Sequence, residues 1–139
     1  MATRERSAPL RILVADDDPT ATDMLRHLLE ARGHRVWAVH DGWSVLELAP
    51  RVGPDVFLLD LDLPDVDGSE VTRWLREEGG FDRSLVVALT GDSAAEDSRR
   101  SPAAGFDGHL TKPLDPSSLR ELLEESPARI ITRDASSAS

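Results

Sequence analysis

Short apolar runs recur along this chain, separated by stretches with the spacing of amphipathic helices. The runs are RILVA (11–15), RVWAV (35–39), DVFLLD (55–60), LVVALT (85–90) and GHLT (108–111). They are short, partly β-branched and mostly without alternation, the pattern of strands covered on both faces. Residues 19–32 predict a first helix. Asp18 can cap it, Pro19 suits the first helical position, and Met24, Leu25, Leu28 and Leu29 share one apolar face before Gly33 stops it. Residues 43–49 predict a short second helix. In residues 69–78, Val71, Trp74 and Leu75 share a face, and Gly79-Gly80 ends it. Residues 93–101 predict a fourth helix, kept short by Pro102. Residues 116–125 open on Asp115-Pro116 and turn Leu119, Leu122 and Leu123 inward. Five strands alternating with five helices imply an α/β fold, a doubly wound parallel sheet with right-handed crossovers.

A chain of 139 residues suits one domain. Residues 1–9 read as a flexible polar lead, 10–126 as the folded unit and 127–139 as a tail rich in small polar residues. The net charge of −10 argues against a broad basic surface for nucleic acid and favours a metal cation or a basic partner. Cysteine is absent, which removes disulfides and thiolate metal sites. No apolar run reaches the length of a membrane span, and no apolar stretch suited to a secretory signal follows the N-terminus. A cytoplasmic location is the expectation.

The polar residues that close the runs change the picture more. In an open parallel sheet, ligands sit beyond the carboxyl ends of the strands. The first run ends in Asp16-Asp17-Asp18, the third in Asp60 followed by Leu61-Asp62, the fourth in Thr90, and the fifth is followed by Lys112. Lys112 is the only lysine among sixteen basic residues. Crowded carboxylates repel one another unless a cation sits among them. Oxygen donors without histidine or cysteine select a hard ion such as magnesium. A lysine adds a compact charge that can meet one oxygen at a time. With the Thr90 hydroxyl, this inventory suits a phosphoryl group, with a carboxylate as nucleophile.

Together, ILVADDD, DVFLLDLDLPDVDG, VVALTGD and GHLTKP resemble the receiver domain of bacterial two-component response regulators, over about residues 10–125. The resemblance implies a flavodoxin-like fold with strand order 2-1-3-4-5, the order that receivers share with flavodoxin. It implies that Asp60 accepts a phosphoryl group from a sensor histidine kinase or histidine phosphotransfer protein. Asp16, Asp17, Asp60 and the backbone carbonyl of Asp62 would hold Mg2+, Thr90 would be the switch hydroxyl, and Lys112 would contact the acceptor. The Lys112-Pro113 bond is one that is often cis in the family. Such a domain catalyses its own transfer and hydrolysis and has no separate substrate. Its downstream protein partner is not specified by the sequence. One departure stands out: His109 occupies the place of a usual Tyr or Phe that turns inward on activation. Together with Pro102, it falls on the face around His109 and the predicted helices at 93–101 and 116–125, which receivers use for output.

Two other readings compete. FLLDLDLPD also imitates the Asp-x-Asp nucleophile motif of haloacid-dehalogenase-like phosphatases, but that motif normally opens the chain, and no acidic pair follows the lysine convincingly. A receiver-fold module that signals without phosphorylation is the other. Asp65 and Asp67 read as turn formers. Trp37 and Trp74 read as packing residues, Trp43 as surface, and His27, His34 and His40 as solvated. No recognition helix for DNA follows residue 125.

Overall fold

Strand order follows from which apolar runs are buried most completely. In this computed structural model, which describes residues 9–91 and 105–124, β3 (Val56–Asp60) and β4 (Leu85–Thr90) are buried along their whole length. β1 (Arg11–Ala15) is exposed only at Arg11. The half-exposed runs β2 (Arg35–Val39) and β5 (Gly108–Thr111) take the edges. All pairings are parallel, and the order is β2-β1-β3-β4-β5.

Alternate residues of the strands serve two cores. Ile12, Val14, Val56, Leu58, Val87 and Leu89 meet Leu25 and Leu29 of α1 (Pro19–Glu30), with Leu119 and Leu123 of α4 (116–124). Leu13, Phe57, Leu59 and Val86 meet Val45 and Ala49 of α2 (Gly42–Val52), with Val71 and Leu75 of α3 (Gly68–Glu77). Each fully buried Leu, Ile or Phe side chain contributes about 1.5–3 kcal/mol, so these two layers dominate stability. No helix among the described residues is long and apolar enough to cross a membrane.

The expected doubly wound sheet is present, with four helices among the described residues. The helix expected at 93–101, and Pro102, lie outside them, as do the N-terminal lead and the C-terminal tail. Three local expectations need correction. The second helix is not confined to 43–49: Asp41 caps Ser44 N–H and the chain continues helically through Pro50 to a left-handed stop at Gly53 (φ 66°). Met24 does not join the inward face of α1; it is 51% exposed, and the buried face is Thr22, Leu25 and Leu29. His34 is not solvated. It is half-buried, and its Nδ1 accepts the Leu10 N–H at 3.1 Å.

Candidate functional site

Parallel pairing brings the carboxyl ends of β1, β3, β4 and β5 to one rim. β1 ends at Ala15, so the next residue, Asp16, sits at that edge, where its N–H donates to the Val39 carbonyl. Asp60 is the last residue of β3 and lies in register with Leu89, one residue before Thr90. Lys112 follows β5 directly, and its N–H donates to the Thr90 carbonyl at 2.7 Å. The Lys112-Pro113 bond is cis.

The side chains converge as their strand positions suggest. Lys112 Nζ donates to Asp60 Oδ2 at 2.9 Å and forms an ion pair with Asp16 Oδ2 at 2.8 Å. Asp16 and Asp60 are almost fully buried, whereas the lysine is one-third exposed. Asp60 Oδ1 accepts the Asp62 N–H at 2.9 Å, and Asp16 Oδ1 accepts the Asp18 N–H at 3.0 Å. Asp17 is exposed. Carboxylate oxygens of Asp16, Asp17 and Asp60 all lie within 4.8 Å of one another. Thr90 is fully buried, and its Oγ1 makes a long contact of 3.5 Å to the Leu110 carbonyl. His109 is exposed on the edge strand. Thus Asp16, Asp17, Asp60 and Lys112 meet directly. Asp62 joins through its backbone N–H, its side chain being exposed, and Thr90 flanks them one residue past the strand partner of Asp60.

The electrostatics are unfinished. Burial pushes the Asp60 carboxyl up, and the neighbouring Asp16 adds to the rise; the Asp62 N–H and the Lys112 ammonium only partly oppose it. Burial works against the charge on Lys112 too, but the two carboxylates outweigh it and raise its pKa. Among the described residues, Asp16 and Asp60 therefore share one ammonium while Asp17 lies beside them, and the remaining negative charge suits a divalent cation. The donor set, oxygen alone, fits a hard ion, as does the close spacing of the three oxygens.

The loops are tied to the site. Asp18 and Asp67 cap α1 and α3 by accepting the N–H groups of Thr20 and Ser69. At Gly68, a Cβ would stand 2.8 Å from the Asp60 carbonyl and 3.0 Å from Leu61 Cα, so only glycine lets α3 begin against the end of β3. Asp65 does more than form a turn. Its carboxylate accepts the Gly42, Trp43 and Val66 N–H groups at 2.7, 3.0 and 2.8 Å. Slight burial pulls its pKa upward, but these donors prevail and lower it. A lone Asp before Val-Asp-Gly carries no signal for a bridge to a helix start more than twenty residues away.

The profile of the response regulator receiver domain matches residues 12–124. The transcriptional regulatory protein TrcR of Mycobacterium tuberculosis is 37% identical over 120 residues, which are 86% of this chain and 45% of that protein. This chain thus spans under half the length of that relative. The polar-differentiation response regulator DivK of Brucella anthropi is 30% identical over 76% of this chain and 86% of its own. Among solved structures, the receiver domain of a sensor histidine kinase from Pseudomonas aeruginosa, with magnesium coordinated in its active-site cleft, is 30% identical. It superposes with a TM-score of 0.77 over 85% of this chain and 97% of its own.

Proposed function

The chain belongs to the response regulator receiver family, and on that premise we propose that it is a phosphorylatable switch whose acceptor is Asp60. The observation that carries this reading is the convergence of Lys112 on both Asp60 and Asp16 beside the exposed carboxylate of Asp17. Family membership displaces the phosphatase alternative.

In the proposed reaction, an oxygen of Asp60 attacks the phosphorus of a phosphohistidine on a sensor kinase or histidine phosphotransfer protein. A carboxyl O–P bond forms, the P–N bond breaks, and the imidazole nitrogen keeps the electron pair. Lys112 and the Asp62 N–H hold the attacking carboxylate in one orientation, which removes rotational freedom before reaction. Asp16, Asp17, Asp60 and the Asp62 carbonyl would hold Mg2+, which supplies charge neutralisation for the phosphoryl oxygens. Thr90 supplies a hydroxyl donor beside the acceptor strand, and its long contact to the Leu110 carbonyl costs little to release. The same groups serve later hydrolysis, so no separate substrate is needed.

The phosphoryl group adds charge and strong acceptors at the rim and biases a pre-existing equilibrium of the surface. Output runs through the face around His109 and the segments on either side of β5 to a downstream protein. The functional unit is residues 10–126, working in the cytoplasm. Incubation with acetyl phosphate and magnesium, read by intact mass, tests the reading. Wild type gains one phosphoryl mass and Asp60→Asn gains none. No gain by wild type, or equal gain by Asp60→Asn, overturns it.

A further inference from the structure

Trp43 is the most exposed large hydrophobic side chain among the described residues, at 64%. It stands in the first turn of α2, just past the carboxyl end of β2, and so on the same edge of the sheet as Asp60. Its backbone is held firmly for an exposed position. Asp41 caps the turn through the Ser44 N–H, and Asp65 takes the N–H groups of both Gly42 and Trp43. Space is tight beneath it: a Cβ on Gly42 would meet Val66 Cβ at 2.8 Å. Asp65 lies in the loop that leads from Asp60 to α3, so the indole is mounted on the acceptor loop.

The surroundings select the charge of what could cover it. The two segments that meet here, residues 41–47 and 61–67, hold Asp41, Glu47, Asp62, Asp65 and Asp67 and no lysine or arginine. Glu47 is exposed one turn beyond Trp43, on the same face of the helix, and Asp65 is exposed at its start. An indole face rimmed by carboxylates attracts a cation through its quadrupole and its neighbours together. An aromatic side chain with two torsions on a fixed backbone loses little entropy on being covered, which is what an interface anchor requires.

We propose that Trp43 is a docking anchor and specificity determinant for the protein phosphodonor, which seats an arginine or lysine side chain on the indole between Glu47 and Asp65. The proposal rests on the phosphoacceptor reading above and adds a contact outside the reacting groups. Only a protein donor reaches Trp43; acetyl phosphate reaches the carboxylates alone. The two donors therefore separate docking from chemistry.

The test uses the full chain, acetyl phosphate, and the histidine kinase of the source organism that phosphorylates wild type fastest among the purified kinases. Trp43→Ala lowers kcat/KM with that kinase by about tenfold, through KM, while the rate with acetyl phosphate stays within about twofold of wild type. Trp43→Phe restores most of the loss, because it keeps a ring. Glu47→Lys weakens transfer from the kinase severalfold, and added salt narrows its difference from wild type. Kinase transfer to Trp43→Ala within about twofold of wild type overturns the proposal, as does an equal loss with both donors. Failure of wild type to take phosphoryl from acetyl phosphate instead overturns the phosphoacceptor reading, and this inference with it.

Discussion

The two ends of the sheet treat buried charge in opposite ways. At the carboxyl rim, Asp16 and Asp60 share Lys112 with Asp17 close by, and among the described residues this leaves negative charge in excess. At the amino rim, Arg76 of α3 has every donor used. Its Nε and Nη2 donate to the Gly105 carbonyl, its Nη1 to the Phe81 and Ser84 carbonyls, and its Nη2 also to Asp107 Oδ2, at 2.7–3.0 Å. Asp107 in turn accepts the Val86 N–H at 2.8 Å, which pins the start of β5 to β4. One end is a finished clamp that fixes where β5 runs. The other is a cluster of carboxylates with the spacing and oxygen donors that suit a divalent cation. The contrast is between a cation whose donors are all used and a carboxylate cluster whose charge is not matched among the described residues.

The largest effect expected from breaking this contrast is at the clamp. Arg76→Met leaves three carbonyls and Asp107 without their cation, and urea unfolding should show a loss of about 3 kcal/mol. The folded fraction should still take up phosphoryl groups, since no reacting group is touched. Next comes completion of the rim. Magnesium at about a hundredfold its dissociation constant should stabilise wild type by about 2.7 kcal/mol in thermal unfolding. Asp17→Asn should abolish most of that gain with little change in stability without magnesium, because Asp17 is exposed.

A smaller effect belongs to His34, also at the amino rim. Burial lowers its pKa from the usual 6.5, and Arg32 adds to the shift. The neutral ring is the form that accepts the Leu10 N–H. A base with a lowered folded pKa contributes stability that is full above 6.5 and lost as pH falls below it toward the folded value. Wild type should therefore lose about 1 kcal/mol over that window, the worth of one hydrogen bond. His34→Asn keeps an acceptor that does not titrate, and its stability should fall by that much less over the same range.

The smallest effect concerns Asp60, whose folded pKa is raised. A raised carboxyl makes the ionised form a cost to folding at neutral pH, a cost that disappears as pH falls toward 3.8. Asp60→Asn should melt slightly above wild type near neutral pH, with the gap closing in acid. For the same reason, phosphoryl uptake from acetyl phosphate should begin to fall at a higher pH than an ordinary carboxylate would give, and magnesium should move that fall to lower pH.

The sheet was readable because strand-end chemistry and apolar runs are both local signals. RILVA, RVWAV, LVVALT and GHLT are strands with the bounds their composition implies, and parallel pairing then forces Asp16, Asp60, Thr90 and Lys112 onto one rim. What stayed hidden depends on partners distant in sequence. Arg76 looks like any surface arginine on an amphipathic helix until the carbonyls of Phe81, Ser84 and Gly105 surround it. His34 looks solvated until Leu10 is placed beside it. Asp65 looks like a turn residue until α2 begins against it. The continuation of α2 past Pro50 depended on the left-handed stop at Gly53, a signal the sequence does contain.

Borohydride trapping after reaction with acetyl phosphate and magnesium reads the phosphorylated residue directly, since it reduces an aspartyl phosphate to homoserine at that position. Peptide mapping should find homoserine at position 60 and nowhere else. Homoserine at position 16, 17 or 62, or none at all, would contradict the account.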